Sequence, residues 1–179
     1  MTVTVTPQSF QFVHFDAALI ERVAASLVAA IGLHRPVVIE VDETTPLARI
    51  ALDLGDLVTI RVESGAFEDT RRPRHQSEEI TAAALGRVLL RARDRLVGGF
   101  GEAPPDDQLS LAQFAAWETY SVGRLERIGL QMNRQRWQYN FRNRHGFNDV
   151  ADLAFDRLWT SDGLTWAELD EISRSASAP

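Results

Sequence analysis

The run Gly98-Gly99-Phe100-Gly101-Glu102-Ala103-Pro104-Pro105-Asp106-Asp107 can continue neither a helix nor a strand. Its glycines leave the backbone too free, and its adjacent prolines fix φ and remove two amide donors. Before it the chain reads as short strands and two helices; after it, as helix almost throughout. The expected fold is therefore α+β. It has a small, mostly antiparallel N-terminal sheet with packed helices over 1–97 and a Gly/Pro-rich linker over 98–108. A mainly helical half over 109–179 packs on the first part, the two together making one domain.

The elements follow from period and punctuation. Thr2 to Phe12 alternates and is rich in Val, Thr and Phe, so it reads as a strand broken at Pro7. Asp16 is placed to cap a helix whose apolar positions Ile20, Val23, Leu27 and Ile31 recur at helical spacing, and Gly32 stops it. Three short β runs follow, Val37–Val41, Leu47–Leu52 and Leu57–Val62, the last two joined by a turn at Asp53-Leu54-Gly55-Asp56. The polar stretch Glu63–Gln76 is irregular. Ser77 opens a helix with the buried stripe Ile80, Ala84, Val88, Ala92 and Leu96. Ser110 with Gln113, and Thr165 with Glu168, have the spacing of capping boxes, and Asn148 caps a helix running to Trp159. The tail from Ser173 to Pro179 is expected to fray.

Composition excludes several chemistries. No cysteine is present, which removes thiol nucleophiles, disulfides, iron–sulfur clusters and cysteine-bound zinc. All 19 cationic residues are Arg, so Schiff-base chemistry and a P-loop lysine are absent too. An Arg-rich, high-GC bacterial genome explains that usage most simply. At 179 residues the chain buries about 70% of its unfolded surface and needs no disulfide or metal to fold. The net charge of −6 disfavours nucleic acid as a partner for the whole molecule. No apolar stretch approaches the length of a membrane span, and Met1–Val5 lacks the basic start of a signal peptide, so a cytoplasmic protein is expected.

No motif names a reaction. His14, His34, His75 and His145 form no ligand pair of the His-Glu-x-x-His kind, so neither a metal nor a cofactor is expected. No Gly-x-Ser-x-Gly elbow is present, and Ser64-Gly65 after a strand reads as a turn. Glu118 falls on the apolar stripe of its helix, between Ala115 and Val122. It is expected to be buried, either as half of an ion pair with an Arg or as a base of raised pKa.

Charge is uneven along the chain. Arg124, Arg127, Arg134, Arg136, Arg142 and Arg144 fall in one segment against the single acid Glu126, and the acidic helix of Asp149, Asp152 and Asp156 comes next. These arginines either satisfy that helix or face an anionic partner. Trp137, Tyr139 and Phe141 alternate with polar residues, the period of a strand, while Trp137 and Phe141 are also four apart, the spacing of a helix.

The expected function is non-catalytic binding through the Arg- and aromatic-rich segment 124–147. Arg124, Arg127, Arg136, Gln138, Asn140, Arg142 and Arg144 would contact a protein or small anionic ligand rather than nucleic acid or a membrane. The alternative is a hydrolase whose acid/base groups come from His75, Glu79, Glu118 and His145, which requires those groups to converge.

Overall fold

The computed structural model describes residues 2–177. The chain forms two compact units, Met1–Ala92 and Arg93–Pro179, and the division falls inside a helix.

The first unit contains β1 (Val3–Thr6), α1 (Ala17–Ile31), β2 (Val37–Asp42), β3 (Ile50–Leu54), β4 (Val58–Glu63), β5 (Glu68–Asp69) and β6 (Arg72–Gln76), and then α2 (Glu78–Val97) begins. The main sheet has the order β1-β2-β4-β3. It is mixed rather than mostly antiparallel: β1 with β2 and β2 with β4 pair in parallel, and only β3 with β4 is antiparallel. The physical reason is connectivity. α1 is a crossover that returns the chain in the direction in which it left β1. After β2 the chain moves out to the sheet edge, runs back as β3, and turns at Gly55 into the slot beside β2. The strands alternate strictly. Val3, Val5, Val37, Ile39, Val41, Val58, Ile60 and Val62 are buried, while Thr4, Thr6, Glu40, Asp42 and Arg61 on the other face are exposed. The Asp16 and Gly32 caps of α1 form as expected. The polar stretch after β4 holds a small hairpin, β5 with β6, that its composition hides.

The second unit contains α3 (Leu111–Arg127), α4 (Arg134–His145), α5 (Asp149–Thr160) and α6 (Trp166–Ala176). Both expected capping boxes close, and Asn148 caps α5. The core is aromatic: Phe100, Trp117, Tyr120, Phe141, Phe155 and Trp159 are all buried in one cluster. The Gly/Pro run is well held, because Phe100 sits in that core. Arg95 also donates to the carbonyls of Ala103 (3.0 Å) and Pro104 (2.7 Å) and to Asp106 Oδ1 (2.6 Å). The C-terminal helix continues to Ala176 with Ser173 buried, where fraying was expected; Ala178 and Pro179 of that expected tail lie outside the described residues.

α3 and α5 come unusually close at Gly123, where an added Cβ would stand 2.1 Å from the Trp159 carbonyl oxygen. Gly→Ala inside a helix ordinarily stabilises by about 1 kcal/mol. Here the contact is with backbone, which cannot swing aside, so the sign reverses. Gly123→Ala should lower stability by about 1–3 kcal/mol in a denaturant titration, the range for overpacked sites; an unchanged or raised midpoint would contradict the close approach.

Candidate functional site

Residues 134–145 are a helix and not a strand, which corrects the period-two reading of the aromatic segment. The segment has no β-branched residue, and its Arg and Gln residues are good helix formers. Asn133 caps it by accepting from the Arg136 amide (3.0 Å), and Gly146 ends it at φ 111, a conformation that suits glycine.

A helix turns about 100° per residue, so residues four apart share a face. Two interleaved series result. Trp137, Phe141 and His145 face inward: Phe141 is buried and stacked on the His145 ring at 3.8 Å, with Phe155 edge-on at 5.8 Å. Arg136, Asn140 and Arg144 face outward, flanked by Tyr139 and Asn143. Among the described residues, the side chains of these three make no hydrogen bond or ion pair. Tyr139 is 58% exposed and Phe147 63%, and their rings meet edge-on at 5.8 Å. Val150, at the start of α5, is exposed as well.

The other cations and amides of the segment are engaged within the unit. Arg142 grips Asp152 through two N–H groups (2.7 and 2.6 Å), Gln138 donates to the same carboxylate (3.1 Å), and Arg134 pairs with Asp156 (2.7 Å). The Arg142 hydrogen bonds hold the Asp152 carboxyl below the usual carboxylate range. Arg127 donates to the carbonyls of Trp159 and Ser161, where the dipole of α5 favours a cation. Arg124 is buried and bonds Asp94 (2.7 and 2.6 Å), and that carboxylate also accepts from Trp117 Nε1 (2.8 Å). Of the seven residues named for partner contact, Arg124, Arg127, Gln138 and Arg142 therefore brace the fold, and Arg136, Asn140 and Arg144 form the outward ridge.

The acid/base candidates lie apart in function. His75 does not meet Glu79; its Nδ1 bonds the Pro73 carbonyl (3.1 Å) and its ring lies on His14 at 4.5 Å, while Glu79 is exposed in the first turn of α2. Glu118 is buried in α3, as its stripe position requires. His145 carries a contact that the sequence could not announce, because its partner is 28 residues away: its Nε2 lies 2.9 Å from Ser173 Oγ. Its Nδ1 faces the Phe141 carbonyl (3.2 Å), an acceptor only, so Nδ1 holds the proton and Nε2 accepts from the serine. This is the hydrogen-bond pattern of a serine activated by a base, but Ser173 is only 2% exposed. With the hydroxyl closed off, the pair ties α4 to α6. Among the described residues, no group of three or more His, Cys, Asp or Glu is placed to hold a metal, and no helix is long and apolar enough to cross a membrane. No protein-family model matches the chain, and neither does any curated protein or solved structure.

Two outcomes follow from these interior groups. Arg124→Ala strands Asp94 in the core and should cost about 3–5 kcal/mol by chemical denaturation, the range for breaking a buried pair; a loss within the scatter of surface substitutions would contradict it. Burial holds the His145 imidazole below the ordinary histidine range. Folded, it stays neutral where the unfolded chain already binds a proton. Stability should therefore be at its full value above about pH 6.5 and decline as pH falls from there through the folded pKa. Thermal unfolding followed from neutral to mildly acidic pH should show that decline, and His145→Gln should make it shallower. An identical slope in the variant would rule the contribution out.

Proposed function

We propose that the chain is a non-catalytic binding module that holds an acidic protein segment on the outward ridge of α4. The observation that carries this reading is the unpaired row Arg136, Asn140 and Arg144 beside the exposed rings of Tyr139 and Phe147. A guanidinium presents a planar fork of N–H donors that fits a carboxylate with two bonds, and Asn140 adds an amide between the two forks. The rings offer apolar area that a partner can desolvate at small cost in side-chain entropy. A surface of this composition fits a segment in which Asp or Glu alternates with apolar residues. Single-stranded nucleic acid would need several rings free to stack. Here Phe141 is in the core, and Trp137 is partly buried against it.

A fluorescent acidic peptide carrying Leu and Phe between its Glu residues tests the idea by anisotropy. Saturable binding is expected, weakening as salt screens the exposed charges. The double variant Arg136→Ala with Arg144→Ala should melt normally and lose at least about tenfold in affinity, the equivalent of one charge-assisted hydrogen bond. Arg142→Ala should instead lower thermal stability, because it frees Asp152. Binding that the double variant retains, or displacement of the peptide by an oligonucleotide at lower concentration than by unlabelled peptide, would refute the reading.

A further inference from the structure

The first unit holds a cavity of about 620 Å³ at the carboxyl ends of the parallel strands β1, β2 and β4, on the polar face of the sheet. Strand ends of this kind are where open sheets with parallel strands bind ligands, because the connections diverge there and leave a crevice. The register explains which groups meet in it. Glu40 and Arg61 are paired positions on β2 and β4, and Asp42 and Glu63 are the next pair on the same face. The Glu63 amide donates to the Arg49 carbonyl (3.0 Å), which places Arg49 in line with Asp42 and Glu63 at the mouth of β3.

The two rows are satisfied very differently. In the first, Glu40 and Arg61 pair at 3.1 Å. In the second, Asp42 uses only Oδ1 among the described residues, for the Thr44 amide and hydroxyl. Glu63 Oε2 is shut off from solvent and has no hydrogen-bond partner among the described residues. Among the described residues the exposed Arg49 side chain has none either. An atom closed to water is closed to a ligand as well, so Glu63 can meet a ligand only through its other carboxylate oxygen, for which no donor is present among the described residues either. The cavity thus has two carboxylates with unused acceptor capacity on β2 and β4, a free guanidinium on the β3 side, and a wall that is mostly apolar.

We infer that this cavity binds a small zwitterion, an apolar amino acid or a dipeptide with free termini. The ligand ammonium donates to Glu63 and Asp42. The ligand carboxylate lies on the Arg49 fork, and its side chains cover the apolar wall. An anion such as phosphate would meet two carboxylates, and a simple cation would leave Arg49 unused. The mixture of signs along one row selects a ligand that carries both.

Isothermal titration of the full chain with Leu-Leu is the test, run beside N-acetyl-Leu-Leu and Leu-Leu amide. Saturable heat is expected with Leu-Leu. Blocking the amine should weaken binding by about tenfold or more, and blocking the carboxylate should do so to a comparable degree. Glu63→Gln should reproduce the first loss and Arg49→Ala the second. The blocked peptides probe the same contacts on the unaltered protein, so the comparison stands even where a variant folds poorly. Absence of saturable heat with Leu-Leu, or equal binding of the acetylated peptide, overturns the assignment.

Discussion

Asp94 is the point on which the second unit depends. Its side chain is 2% exposed, and removing such an ion from water costs several kcal/mol. The cost is offset because three donors converge on it. Arg124 supplies two N–H groups and Trp117 a third, and the guanidinium lies 3.8 Å above the Tyr120 ring. The Tyr120 hydroxyl then accepts from the Leu164 amide, which fixes the link between α5 and α6. The Asp94 carbonyl accepts from the Gly98 and Phe100 amides and starts the Gly/Pro run on its path into the aromatic core. The Asp94 carboxylate therefore joins the end of α2 to the face of α3, while its main-chain carbonyl holds the turn at Gly98–Phe100. Lysine could not replace Arg124, since a single ammonium offers neither two parallel bonds nor a plane to lie on the tyrosine.

The same distinction runs through the arginines of the 124–144 segment. Helix period sorts them. Arg142 falls toward α5 and reaches Asp152, Arg134 reaches Asp156, and Arg136 and Arg144 turn the other way. Asp156 and Asp152 thus take up two of the six arginines, Asp94 holds Arg124 and two carbonyls hold Arg127, so that among the described residues Arg136 and Arg144 are left without a side-chain partner. That remainder, and not the total charge of −6, describes the surface a partner would meet.

Much of this architecture was legible from local signals. The caps at Asp16, Ser77, Ser110, Asn148 and Thr165 all operate, because capping is decided within a few residues. Burial of Glu118 followed from its place on the stripe. Long-range choices were not legible. Strands 37–42 and 58–63 look alike whether they pair in parallel or antiparallel, and the order of β3 and β4 depends on where the chain goes after Asp42. In α4 two periods were superimposed, and the aromatic alternation was the more conspicuous. The deciding signals were present in Asn133 and in the lack of β-branched residues through His145. The sorting of the seven polar candidates into braces and ridge was hidden for the same reason, since it needs both the helix phase and the position of α5. The Ser173 partner of His145 and the orphaned oxygen of Glu63 arise only from tertiary placement.

Helix phase divides the arginines of one segment into internal braces and an outward pair that no described side chain engages. Nitrogen-15 NMR of the guanidinium Nε–Hε groups tests it directly, and a chain without lysine gives a spectrum undisturbed by lysine side chains. Arg124 and Arg142 should give resolved signals whose protons exchange slowly with water. Arg136 and Arg144, assigned by substitution, should exchange at the rate of free arginine and sit in the unstructured envelope. Slow exchange at Arg136 and Arg144 in the isolated protein would mean that they too are braces, and the ridge would not be available to any partner.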